Sequence, residues 1–278
     1  MKRKMVQIQN GLVITAAILF SASAGQAGLV VPVNGGWDVN FNGDTVGSAP
    51  SVVSYDSAVL HTTPNRVDVD TGNTVLVQSS LGGLTDQPVV FTSTVPKSSL
   101  PSLQFGFDST AAPNQSHSAY EWDLLVASTG APAGATKFFS FRLLAGGGQL
   151  VQSLHLRNDD VGGGELQVRL DFASALDWNG ANNHLTIGTV NKVRVEIDRI
   201  AETAAWYLNN ERFALSTDPG LKDVGTIQFR DMGGLAGSPQ TFVIGIDNFK
   251  GGIIPEPSSL VLLALGAAAI GLVRRRQV

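Results

Sequence analysis

Val190-Asn191-Lys192-Val193-Arg194-Val195-Glu196-Ile197-Asp198-Arg199-Ile200 decides the fold class. Val193, Val195 and Ile197 alternate with Arg194, Glu196 and Asp198. Successive side chains of a strand point to opposite faces, so this alternation makes one dry face and one wet face.

The same period recurs outward from this strand. Ala119 to Ala127, Lys137 to Leu144, Leu166 to Phe172, Gly225 to Arg230 and Thr241 to Phe249 read as strands. Nearer the N-terminus, so do Ser51 to Leu60, Arg66 to Asp70, Thr74 to Gln78 and Val89 to Val95. Turn residues separate them: Thr71-Gly72-Asn73, Leu81-Gly82-Gly83, Gly146-Gly147-Gly148, Gly162-Gly163-Gly164, Asn209-Asn210, Asp218-Pro219-Gly220 and Gly233-Gly234. Many short strands without a helical stripe or a fixed internal repeat predict an all-β sandwich or barrel.

Three segments then resemble one family, the concanavalin A-like or laminin-G-like jelly roll. Val190 to Phe213 is similar to its long strand, short hairpin and following strand, with Asn209-Asn210 as the turn. Phe41 to Pro50 (FNGDTVGSAP) resembles the opening of many exported bacterial jelly rolls. Ile244 to Phe249 is similar to their closing strand, and the resemblance implies that this strand pairs with the first. A concanavalin A-like jelly-roll β-sandwich over residues 28–254 is the expected body.

Both ends carry address signals. Lys2, Arg3 and Lys4 precede the apolar run Gly11 to Phe20, and Ala22-Ser23-Ala24 and Gly25-Gln26-Ala27 offer small-residue cleavage sites. This is the three-part pattern of a signal peptide, expected over residues 1–27, which makes the Sec export machinery a partner. At the other end stand Pro255-Glu256-Pro257, an uncharged stretch from Ser258 to Val273, and Arg274-Arg275-Arg276. As a helix of about 16 residues it is roughly 24 Å long, marginal against a hydrocarbon core of about 30 Å. The arginines are the cationic flank that stays cytoplasmic. The trio resembles the PEP-CTERM sorting signal of exported bacterial proteins. That resemblance implies an exosortase as partner, a C-terminal transmembrane helix and delivery to the cell surface or extracellular matrix.

The chain has 19 Lys+Arg and 23 Asp+Glu. Six of those basic residues and one acid, Glu256, lie in the terminal segments, leaving 13 against 22 and a net charge of −9 between them. That balance argues against nucleic acid or an anionic surface as partner. The chain contains no Cys, so neither a disulfide framework nor thiolate chemistry is available.

Carboxylates spaced by two share a sheet face, which is how laminarinase-like jelly rolls array their catalytic acids. Glu121-Trp122-Asp123 and Glu196-Ile197-Asp198 each supply two acids, but Leu125 and Ile200 stand where a third is needed. The pairs read as solvated strand faces with Arg194 and Arg199 as charge partners. His61, His117, His155 and His184 share no metal-binding spacing. Calcium is the one cofactor to consider: Asp38, Asp44, Asp247 and Asn248 converge if the first and last strands pair, with Asp159-Asp160 as a separate candidate. Trp178, followed by Asn179 and Asn182, offers a ring and amides for a sugar, whereas Trp122 and Trp206 belong to strands and to the core.

The expectation is a non-enzymatic exported protein with a structural or glycan-adhering role, an extracellular polysaccharide being its partner. A polysaccharide hydrolase with a divergent active site is the alternative.

Overall fold

The computed structural model describes residues 30–253 except 55–58, 70–73, 85, 94–99, 107–115, 130–136, 161–165, 173–176, 179–183 and 233–240. Sixteen strands occur among them. In chain order they are β1 (Val31–Val39), β2 (Arg66–Asp68), β3 (Thr74–Val77), β4 (Val89–Ser93), β5 (Ser102–Gly106), β6 (His117–Thr129), β7 (Lys137–Ala145) and β8 (Leu150–Asp160). Then follow β9 (Leu166–Phe172), β10 (Asp177–Trp178), β11 (His184–Thr186), β12 (Val190–Asp198), β13 (Thr203–Leu208), β14 (Glu211–Thr217), β15 (Val224–Asp231) and β16 (Phe242–Ile253). The expected signal peptide (1–27), the PEP-CTERM segment (255–278) and its apolar span (258–273) lie outside the described residues. No helix among the described residues is long and apolar enough to cross a membrane.

The strands form two antiparallel sheets. One has nine strands in the order β10-β14-β13-β12-β6-β16-β4-β3, with β1 also paired to β16. The other has seven, in the order β11-β9-β8-β7-β15-β5-β2. Neighbours distant in sequence, such as β6 and β16 or β5 and β15, make this a crossed sandwich rather than a meander.

Alternation sets the inner faces. Tyr120, Trp122, Leu124 and Val126 of β6 are buried, as are Val193, Val195 and Ile197 of β12. They meet Phe139, Phe141 and Leu143 of β7 and Ile227 and Phe229 of β15 in one core. Rings lock the two sheets together: Phe105 stacks on Phe249 at 3.7 Å, and Trp122 lies 5.2 Å from Phe141. Each such side chain contributes about 1.5–3 kcal/mol by burial, the stabilisation that a cysteine-free exported domain relies on.

The first and last strands pair as the jelly-roll resemblance implied, Val31 opposite Ile253 and Val39 opposite Phe249. The opening motif Phe41 to Pro50 is a turn segment after β1, tied to β3 through Gly47 and Ser48. Asn209 and Asn210 both adopt left-handed backbone (φ 51° and 71°) between β13 and β14, the geometry of a two-residue hairpin that Asn tolerates.

One expectation fails. Residues 51–54, 59 and 60 of the expected strand Ser51 to Leu60 join no ladder, and Val52, Val53, Val59 and Leu60 are exposed. Their apolar residues have no sheet face to pack on. Asp159 and Asp160 end β8, paired with Gln167 and Leu166 of β9.

Candidate functional site

The outer face of the nine-stranded sheet carries most of the acids singled out above. Glu121 and Asp123 project from β6, and Lys192 of β12 reaches both, at 3.1 and 3.2 Å. Burial alone would lower the Lys192 pKa, but the two carboxylates outweigh it and raise the value. Arg194 lies 3.1 Å from Glu196, and Tyr207 donates its hydroxyl to Glu196 at 2.9 Å. Burial and the Glu196 charge push Tyr207 up to about 12. Asp198 binds His117 at 3.0 Å and accepts from the backbone N–H of Ile200 and Ala201. Arg194 is thus a charge partner of Glu196, as expected, whereas the first pair is neutralised by Lys192 and Arg199 donates to the carbonyl of Lys222.

Leu125 occupies the third position after Glu121 and Asp123 and is fully buried. The tight turn at Leu81–Leu84 folds over it: a Cβ on Gly82 would touch Leu125, and one on Gly245 would touch Leu81 and Leu84. The place a third acid needs is therefore apolar and roofed.

Asp247 and Asn248 sit at an irregularity in β16, where Asp247 faces Asp123 of β6. Asn248 has φ 50° and donates to Asp123 Oδ2 at 2.9 Å, and Asp247 Oδ1 accepts the Asn248 N–H at 2.7 Å. Burial, with Asp86 and Asp123 nearby, pushes Asp247 up to about 6. Asp38 instead aligns with Lys250, and Asp44 Oδ1 caps the N–H of Ser51. Among the described residues no three His, Asp or Glu stand close enough to hold a metal ion.

The outer face of the seven-stranded sheet was not legible beforehand. Strand register aligns Asp68, Ser102, Arg230, Ser140 and His155 in one row across β2, β5, β15, β7 and β8. The next row is Arg66, Gln104, Gln228, Arg142 and Ser153. Five strands at about 4.8 Å spacing make a floor roughly 19 Å across. Its short polar groups are recessed: Ser140 is 0 % exposed, Ser102 1 %, His155 6 % and Gln228 8 %.

One end of this floor is internally satisfied. Asp68 accepts from Arg66, Ser102 and Gln104, and Gln228 donates to Ser102 at 3.3 Å. The other end is not. Among the described residues Arg142 donates from Nη2 to the thioether of Met232, at 3.4 Å, and its Nε–H is buried with no partner among them. Ser153, directly opposite on β8, has a buried hydroxyl that is also unpartnered. An unmet buried donor costs about 1–3 kcal/mol. Burial and the Arg230 charge lower the Arg142 pKa to about 10. Burial lowers Arg230 as well, against the opposing pull of Asp68.

Trp178 belongs to β10, the edge strand of the larger sheet, opposite Ala214. Its row continues through Trp206 and Val195, both buried. Asn179 and Asn182 lie outside the described residues. Trp122 and Trp206 are core residues, as their strand positions implied.

Comparison with known proteins adds one motif and a set of distant folds. Residues 254–277 match the PEP-CTERM protein-sorting motif, which covers Pro255, Glu256, Pro257 and Arg274, Arg275, Arg276. That motif marks an exported protein processed by an exosortase system. No curated protein matches the chain. Among solved structures, a sialidase is similar at 13 % identity and TM-score 0.43 over 69 % of this chain. The chain spans only 19 % of that sialidase. Lectin II from Ulex europaeus is similar at 11 % identity and TM-score 0.38, over 68 % of this chain and 95 % of the lectin. The carbohydrate recognition domain of Emp46p, in its metal-free form, is similar at 14 % identity and TM-score 0.38, over 65 % and 86 %.

Proposed function

We propose that this exported β-sandwich protein is a non-enzymatic glycan-adhering component of the cell surface or extracellular matrix. The observation that carries the reading is the polar floor of the seven-stranded sheet. Hydroxyl, amide and guanidinium groups from five strands line that face, the chemistry that meets the hydroxyls of a polysaccharide. A rigid sheet holds them in register, so binding needs little ordering.

The non-enzymatic part is supported by the other face. Glu121 and Asp123 are neutralised by one lysine, and the third position is a buried leucine. A retaining hydrolase needs two carboxyl groups about 5 Å apart with separate acid and nucleophile roles.

The test is retention of the full chain, solubilised in detergent, on immobilised polysaccharides, with released reducing ends assayed in the same samples. Retention that falls in Gln228→Ala, without release of reducing ends, is expected. Release of reducing ends that requires Glu121 and Asp123 would instead make the protein a hydrolase.

A further inference from the structure

Arg142 and Arg230 are diagonal neighbours on adjacent strands of one sheet face. Register sets Arg142 opposite Gln228 and Arg230 opposite Ser140, which puts the two side chains about 7–8 Å apart at their origins. Like charges at that spacing repel, and neither arginine makes an ion pair among the described residues. Asp68, two strands along the row of Arg230, already accepts from Arg66, Ser102 and Gln104. Register also brings Asp171 of β9 beside His155 at the far end of the row. The residues between the terminal clusters are markedly acidic, yet two cations share a recess here and no carboxylate among the described residues contacts either, Asp68 acting on Arg230 only at longer range.

The unsatisfied groups add direction. Arg142 Nε–H and the Ser153 hydroxyl are both buried, both without a partner, and on directly opposed positions. A guanidinium presents its donors in a planar fork that matches carboxylate and sulfate oxygens. Neutral hydroxyls satisfy such a fork less well. We infer that Arg142, Arg230 and Ser153 form the binding site for an anionic group, carboxylate or sulfate, carried by the polysaccharide that the sheet floor holds. This inference rests on the glycan-adhering reading and names its substrate class.

The net charge gives the site its selectivity. Overall negative charge repels polyanions from the rest of the surface, so capture depends on the local fork. Free glucuronate and other small anions then bind weakly, because the floor that holds neighbouring sugar units is unused.

The experiment is calorimetric titration of the full chain, in detergent, with four probes: polygalacturonate, its methyl ester, dextran sulfate and dextran. The ester caps each carboxylate of polygalacturonate with a methyl group and so removes its charge. Binding to polygalacturonate or dextran sulfate, weakened about tenfold or more by Arg142→Gln or Arg230→Gln, is the expected result. Whichever of the two binds identifies carboxylate or sulfate. Arg212→Gln, an exposed arginine on β14 of the other sheet, is expected to leave the affinity unchanged. Arg142→Lys separates fork from charge and guards against misfolding: it keeps the cation and is expected to recover only part of the affinity. Equal binding within both pairs, polygalacturonate against its ester and dextran sulfate against dextran, or full affinity in the folded Arg142→Gln and Arg230→Gln proteins, would overturn the anionic site and leave glycan adhesion standing. No binding to any of the four, together with no retention on the immobilised polysaccharides, would overturn both.

Discussion

Asn248 holds Asp123 across two strands, donating its side-chain amide at 2.9 Å from a backbone in the left-handed region. The bulge that creates this bond also turns Asp247 toward Asp123. One irregularity in β16 therefore positions three of the polar groups on the larger sheet.

Asn248 serves backbone and side chain at once, and two substitutions separate the roles. Both variants lose the bond to Asp123, but Asn248→Gly also removes the Cβ from the left-handed region, whereas Asn248→Ala keeps it. Asn248→Ala is expected to be less stable than Asn248→Gly by about 1 kcal/mol in urea denaturation. Equal losses would show that the backbone there is unstrained.

Asp247 gives a pH dependence of defined sign. Its pKa is raised to about 6 by burial and by neighbouring carboxylates. The folded state thus holds a proton that the unfolded chain releases near its ordinary value of 3.8. The stability tied to that proton is full below about pH 4 and lost as pH rises through 6. Asp247→Asn keeps a side-chain oxygen for the Asn248 N–H and removes the charge. Relative to wild type it is expected to gain about 2 kcal/mol between pH 4 and pH 7. A pH-independent difference would contradict the assignment.

Lys192 has the opposite sense. It ties Glu121 to Asp123, and its raised pKa means a contribution present below the ordinary lysine value and lost as pH rises beyond it. Because the side chain is 40 % exposed, Lys192→Gln is expected to cost only about 1 kcal/mol at pH 7. The cost should shrink in about 1 M salt, which screens a partly exposed ion pair. Thermal denaturation at low and high salt measures this, and a cost larger at high salt would contradict it.

Gly252 tests the closure of the sandwich. A Cβ there would collide with the carbonyl oxygen of Val31, a backbone atom of β1 that cannot rotate away. Gly252→Ala is expected to cost about 1–3 kcal/mol and to expose β1 to proteolysis. Gly43→Ala, with open space around its added Cβ, is the control and should be neutral. Equal protease resistance in both would mean that β1 contributes little.

The fold was legible where alternation is uninterrupted. Val190 to Asp198 and Leu166 to Phe172 carry their strand in their own residues. β5 and β8 were hidden because Ser102-Leu103-Gln104 and Leu150-Val151-Gln152-Ser153 mix short polar residues with few apolar ones. Ser51 to Leu60 misled for the converse reason: valines promise a face that the sheet does not supply. Sites divide along the same line. Glu121 and Asp123 were visible because two-residue spacing is a local signal. Arg142 and Arg230 were not, since only the pairing of β7 with β15 brings them together. Asp38 and Asp44 were assigned from the pairing of β1 with β16, which is correct, but register then set Asp38 against Lys250 instead of Asp247.

The central claim is that the protein adheres to glycans through the seven-stranded face, and a glycan array probed with the full-length chain addresses it most directly. Wild type, the double variant Arg142→Gln/Arg230→Gln and Trp178→Ala are compared side by side. The account expects wild type to bind at least one polysaccharide class, the double variant to lose that signal, and Trp178→Ala to keep it. Binding that survives the double variant and disappears in Trp178→Ala would place adhesion at the β10 edge and contradict the account.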